Sequence, residues 1–436
     1  MSEPGANDGG DPSDAPPKRA LSIIFLIIFT DFLGFGIIIP LLPFFVPEFQ
    51  ENAVKVTLLF SVYSVCQFIG APILGAMSDR YGRRPVLSIS QAGSALGFAL
   101  LGLAVPFRDT NPTLCLTLVY LSRIIDGFTG GNVSTAQAYI SDVTTEANRA
   151  KGMGLIGAAF GIGFSAGPAV GGLLAYYAGK QWPAYVAAIL AGLAAVLTHL
   201  YLPESRHRKP VDVEAWLHPR AFMPVLRRPP LFNLMVISFA SMAAFVMMEA
   251  TIGLYLNKTF GWGERNVGWF FAWAGLWIVI VQGGLVGRLV PKVGEWPLAI
   301  LGPLLVTAGM IGYAATAWTP ALSLLLVAGA VNAAGRSFQH PTVSSLLSKY
   351  SERHEQGVVF GLYHGLTSLS RVVGPIIAGL TYPLWRNTGP YVIAGVITLA
   401  AGAWTAFVRA RYPLPAAAVT PAMRNGRAEA ARAEIE

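Results

Sequence analysis

Apolar runs of about twenty residues recur through this chain, at roughly 21–46, 55–77, 86–106, 113–137, 152–178, 182–202, 231–256, 266–286, 297–316, 321–343, 357–382 and 388–408. Each is long enough to cross the hydrocarbon core of a bilayer as a helix, which takes about 20 residues. The runs do not alternate with the two-residue period of a barrel strand, so helices are expected. Only 12% of the 436 residues are charged, about half the share usual in soluble domains. The expected fold class is an all-α membrane protein of twelve transmembrane helices.

The runs form two groups of six, separated by the polar, proline-containing segment 203–230. The expected organisation is a disordered tail over 1–20, a six-helix bundle over 21–202, a linker over 203–230 with a short amphipathic helix near Val213–Leu217, a second bundle over 231–408, and a tail over 409–436. Lys18 and Arg19 precede a first run too long for a signal peptide. Of the 31 Lys and Arg residues, 22 fall in the termini, the linker and the even-numbered loops, six in the opposite loops, and three inside spans (Arg123, Arg336, Arg371). That asymmetry places both termini in the cytoplasm. The net charge of +8 therefore faces anionic lipid, with no nucleic-acid partner expected. Cys66 and Cys115 read as apolar packing residues.

The halves look duplicated. GAMSDRYGRRP (Gly75–Pro85) aligns with GRLVPKVGEWP (Gly287–Pro297), GPAVGG (Gly167–Gly172) with GPIIAG (Gly374–Gly379), and Arg123 with Arg336, at offsets of 212, 207 and 213. Parallel six-helix repeats of this kind build one large class of carrier, with substrate bound near the midplane between them.

Charges at membrane depth are costly, at least ~2.5 kcal/mol for an Asp at a helix centre. Asp31 lies about ten residues into the first run, so it is expected to face a cavity and serve ion or solute movement; a purely structural Asp is the alternative. Arg123 and Asp126, three apart, share one face of the fourth span. They form either a self-neutralised structural pair or a relay in which Arg123 holds Asp31 or Asp126 charged until protonation frees it. Glu249 in the seventh span is an interfacial residue, a cation site or a second proton site. Arg336, Gln339 and His340 are expected on one face of the tenth span, with His364 and Arg371 in the eleventh. These, with Glu249, Trp273 and Trp277, are the expected substrate contacts.

The loop GAMSDRYGRR resembles the loop between the second and third helices of the major facilitator superfamily. Gly75 and Gly82 suit tight turns and close approach, while Arg80, Arg83 and Arg84 sit at the membrane surface. The resemblance implies a gating loop in which Asp79 meets the start of the eleventh helix and Arg83 pairs with Asp142. The first-span string DFLGFGIIIPLLP is similar to that of the twelve-span drug:proton antiporter branch, whose pattern ties an arginine at position 123 to proton coupling. GIGFSAGPAVGG, with Gly163, Gly167, Pro168, Gly171 and Gly172, resembles the antiporter motif of exporters. The relationship implied is tetracycline-exporter-like, over about 20–410.

The implied function is proton-coupled export of small hydrophobic drugs or metabolites, mostly apolar and cationic or zwitterionic, by alternating access, from a bacterial inner membrane, as a monomer. The third span lacks the acid, the ninth the charge and the eighth the His of tetracycline exporters, so a multidrug or metabolite exporter is expected. A proton-coupled importer or facilitator of a polar metabolite, and a non-transporting receptor or scaffold, are the alternatives. The chain has no phosphate-binding loop, no zinc-type cluster and no nucleophile elbow. Neither a cofactor nor a metal nor an enzyme activity is expected; the partners are a small-molecule substrate, protons and lipid.

Overall fold

The structure, a computed structural model, describes residues 18–38, 42–45, 52–144, 146–205, 219–352 and 355–413. The expected tails and the amphipathic segment Val213–Leu217 lie outside the described residues, apart from Lys18 onward and a terminal stretch to Pro413. Twelve spans follow one another in two sets of six. The first set is Lys18–Ile38, Ala53–Tyr81, Arg83–Ala104, Pro112–Thr129 continuing into Val133–Val143, Glu146–Tyr177 and Trp182–Tyr201. The second is Pro229–Phe260, Glu264–Ile280 continuing into Val286–Val293, Glu295–Ala315, Leu322–Tyr350, Gln356–Thr381 and Gly389–Arg411. A further helix, Pro219–Leu226, lies in the expected linker.

Three elements depart from the expected runs. The first is described as a helix to Ile38 and again as the short helix Leu42–Phe45. The fourth tightens into a 3₁₀ turn at Gly130–Asn132, and the eighth widens into a π turn at Val281–Leu285, where Gly283 and Gly284 sit. Eight described helices are long and apolar enough to cross a membrane by themselves. The fourth, fifth, tenth and eleventh are not among them. Of these the fourth carries Arg123 with Asp126, the tenth Arg336 with His340, and the eleventh His364 with Arg371. Such helices are tolerated because their neighbours shield them from lipid.

Within the first half the first helix packs on the fifth and sixth, and the third on the fourth and sixth. In the second half the seventh packs on the eleventh and twelfth, and the ninth on the tenth and twelfth. The halves meet mainly through two pairs, second with eleventh and fifth with eighth, with a smaller contact between the second and the seventh. Glycines explain these crossings. A Cβ on Gly167 would stand 2.8 Å from the Gly36 backbone, and one on Gly172 would stand 2.7 Å from Gly268 Cα. The fifth helix thus lays one small-residue face on the first helix and another on the eighth. The duplicate behaves alike: Gly374 abuts the Ala243 carbonyl of the seventh helix, and Gly379 abuts Thr57 and Val54 of the second.

Gly82 and Gly294, matched by the duplication, both open their third helix in the same way. Their φ values are +102° and +80°, with ψ 156° and 174°. That region is essentially restricted to glycine. The hairpins beyond these turns are locked by charge. In the first half Arg83 Nε reaches Asp142 Oδ2 at 3.2 Å. In the second, Glu295 occupies the Arg83 position and pairs at 2.5 Å with Lys349 near the end of the tenth helix. Glu295 is only 6% exposed in its side chain. Lys349→Ala is therefore expected to destabilise by about 3 kcal/mol, because it strands a buried carboxylate. Glu295→Lys combined with Lys349→Glu should recover part of the loss, read as the melting temperature of the purified protein. A double mutant no more stable than Lys349→Ala would remove the pair from the account.

Candidate functional site

At the centre of the first half, Gln91 donates from Nε2 to Asp31 Oδ1 at 2.7 Å, while Asp31 Oδ2 is buried without a hydrogen-bond partner. Thr30 beside it donates to the Gln91 amide oxygen at 3.5 Å. On the fourth helix Arg123 and Asp126 are each 3% exposed and pair at 3.1 Å, as their spacing predicts. The Arg123 guanidinium also stands 5.8 Å from the Tyr63 ring and 5.7 Å from the Phe98 ring. Arg123 thus holds Asp126 directly, while Asp31 is held by Gln91. Gly97 and Gly93 allow this approach: a Cβ on Gly97 would lie 2.8 Å from Asp126 Cβ.

A cavity of about 10 Å³, room for about one water, lies between the halves. Tyr63, Ser64 and Arg123 line it from one half, and Glu249 and Arg371 from the other. Glu249 is 4% exposed and its Oε1 is buried with no hydrogen-bond partner.

The expected substrate contacts divide. Gln339 donates to Ser241 Oγ at 2.5 Å and Arg336 to Met242 Sδ at 2.7 Å, both on the seventh helix, while the His340 ring lies by Tyr363 of the eleventh. Trp273 donates to the Leu326 carbonyl at 3.0 Å and meets Trp277 edge to face at 5.7 Å. Trp277 Nε1 is buried without a partner. His340 and His364 are both exposed and flank Tyr363, at 6.4 and 5.2 Å between rings.

In the loop, Arg83 pairs with Asp79 at 2.8 Å and donates to Ser78 Oγ at 2.6 Å, besides the expected contact with Asp142. Glu204, beyond the sixth helix, accepts from the backbone N–H groups of Arg83 and Arg84 at 2.8 and 3.1 Å, capping the third helix. Arg84 donates to the His199 carbonyl, and Arg80 lies against Tyr81. The partners of Arg83 and Arg84 thus belong to the first half. Gly75 makes no close approach, since it has no neighbour within 4 Å of its Cβ position, and the same is true of Gly283, Gly284, Gly287, Gly361 and Gly365. At the far end the halves touch. Gly172 meets Gly268, Gly379 meets Thr57, and Lys180 pairs across the halves with Glu264 at 2.9 Å. Arg265 there stacks on Tyr176. The halves are in contact at the far end.

Glu204, Asn132 and Tyr63 escaped the sequence reading. Asn132 is buried in the 3₁₀ turn beside Asp31, and only its place in the fourth span hinted at it.

Two six-helix halves around buried, unsatisfied charge define a membrane carrier. The sequence model of the Major Facilitator Superfamily matches residues 24–324 and 304–428, and the chain belongs to that family. It is similar to the class B tetracycline resistance protein of Escherichia coli, 29% identical over 382 residues, covering 84% of this chain and 90% of that protein. The class E protein of Escherichia coli is 31% identical over 403 residues, covering 87% and 94%. The crystal structure of the human organic anion transporter MFSD10 superposes with a TM-score of 0.67 at 24% identity, over 91% of this chain and 100% of that one. At that identity the likeness concerns the fold.

Proposed function

We propose that this transporter is a proton-coupled antiporter that exports small hydrophobic drugs or metabolites by alternating access. The observation that carries the reading is Asp31: a carboxylate at membrane depth, held by Gln91 through one oxygen, with the other oxygen buried and unpaired. Such a group suits reversible protonation. The Arg123–Asp126 pair beside it is the second element of the relay. Glu249, Arg336, His340, His364, Trp273 and Trp277 are assigned to substrate contact, with Gln339 as a support for the tenth helix. The tetracycline resistance relatives support export.

In this reading the loop end is cytoplasmic, the far end faces outward, and both termini are inside. The structure then corresponds to an inward-open carrier of a bacterial inner membrane, acting as a monomer and not as an enzyme. Loop residues Asp79 and Arg80 through Arg84 hold the first half rigid and grip the second half when the carrier turns outward.

The test uses drug-sensitive bacterial cells expressing the full chain and preloaded in parallel with ethidium, a cation, and carboxyfluorescein, an anion. Efflux of either dye that a protonophore stops while cellular ATP is maintained supports the reading. Efflux indifferent to the protonophore, net uptake, or no expression-dependent efflux of either dye would sink it.

A further inference from the structure

The duplication leaves the second half with arginines that its own carboxylates do not match. In the first half Arg123 is neutralised three residues on by Asp126 at 3.1 Å. In the second half Arg336 stands at the matching position, but its neighbour three residues on is Gln339, which is spent on Ser241. The guanidinium donates instead to Met242 Sδ at 2.7 Å and lies over the Phe245 ring at 4.7 Å. A thioether is a weak acceptor for a charged donor. Arg371 likewise has no ion pair within 4 Å among the described residues; it faces the Phe35 ring at 5.8 Å and lines the cavity between the halves.

Glu249 acts on both arginines and lines the cavity with Arg371, but among the described residues it forms no ion pair with either. Within the second half, two guanidinium groups and one carboxylate leave one surplus positive charge; across the cavity Arg123 is matched by Asp126 and Asp31 is held by Gln91. His340 and His364 extend this wall toward the loop end, where Gly361 and Gly365 leave the space beside the eleventh helix open. Buried charge without a partner is expensive, so the surplus is explained by a ligand of opposite sign. The aromatic rings under both guanidinium groups favour a flat body behind that charge.

We propose that Arg336 and Arg371, with His340 and His364 at the entrance, bind the anionic group of an aromatic organic anion, and that such anions are the exported substrates. The proposal rests on the antiport reading for its transport step. Exchange of an anion outward for a proton inward moves two positive charges inward. The membrane potential therefore drives it along with the pH gradient. Glu249 opposes the anion and tunes its release.

Fluorescein and rhodamine share a xanthene ring system and differ in charge, which makes them matched probes. Binding to the purified full-length protein is read by fluorescence anisotropy. Fluorescein should bind at least about tenfold more tightly than rhodamine. Arg336→Gln and Arg371→Gln should each weaken it about tenfold to a hundredfold, the loss of a charge-assisted hydrogen bond. Glu249→Gln should tighten it, a gain that no folding defect produces. Undetectable fluorescein binding, tighter rhodamine binding, or weakened fluorescein binding in Glu249→Gln would each overturn the anion site. Proteoliposomes then separate the two readings. Fluorescein bound through the arginines but not moved would leave the anion site standing and defeat antiport. Rhodamine exchanged for protons while fluorescein is ignored would do the reverse.

Discussion

Asp31→Asn is expected to abolish substrate export against a gradient while leaving energy-independent exchange of substrate across the membrane intact. Asparagine has the same shape, and its amide oxygen still accepts from Gln91 Nε2, so the packing around the first and third helices survives. What disappears is the exchangeable proton. Losing a positioned proton carrier costs about 100-fold or more in the step it serves. Gradient-driven efflux and counterflow, measured on the same proteoliposomes, separate the two activities. Equal loss of both would mean that Asp31 holds the bundle together and does not couple it.

Gly172→Val is expected to shift the carrier away from the far-end-closed arrangement. The added Cβ would meet Gly268 Cα and the Glu264 carbonyl, each at 2.7 Å, and both are backbone atoms that cannot rotate aside. Overpacking of this kind costs about 1–3 kcal/mol. The contact joins the two halves, so the penalty falls only on conformations in which the far ends meet. A shift of about 5- to 150-fold in the population ratio follows. Spin labels at Tyr177 and Trp318, exposed residues of opposite halves, would report it as loss of the short-distance population. Lys180→Glu should act in the same direction but more weakly, because Lys180 is 37% exposed and its pair with Glu264 is screened. Gly167→Val presses on Gly36 within one half, so it should lower stability without moving the distance distribution. A Gly172→Val protein with an unchanged distribution would show that the far-end contact does not set the balance.

The fold was legible because membrane helices announce themselves by length and apolarity, and because the duplication left its mark on glycines. Gly82 and Gly294 matched in the sequence, and both prove to occupy a backbone region closed to other residues. Gly167 and Gly172 matched Gly374 and Gly379, and each pair makes the same two helix crossings. The Arg123–Asp126 pair followed from helical spacing alone. Other features depended on tertiary contacts that no spacing encodes. Gln91 was visible only as a missing acid, whereas it is the residue that holds Asp31. The Glu295–Lys349 lock stayed hidden because Glu295 is an acid where its counterpart Arg83 is a base, and a comparison of identical residues passes over such a change. Glu204 lies 121 residues from the backbone group it caps. Gln339 was grouped with Arg336 and His340 by spacing; Gln339 and Arg336 both reach the seventh helix, whereas His340 lies by Tyr363 of the eleventh.

The central claim is that substrate movement is coupled to protons through Asp31. The most direct test places purified protein in liposomes with an imposed pH gradient and an internal pH-sensitive dye, and adds aromatic drugs of positive, negative and zwitterionic charge in turn. The account predicts substrate-dependent proton leak in the wild-type protein that vanishes in Asp31→Asn. Proton leak of equal size in both proteins, or none with any compound, would contradict it.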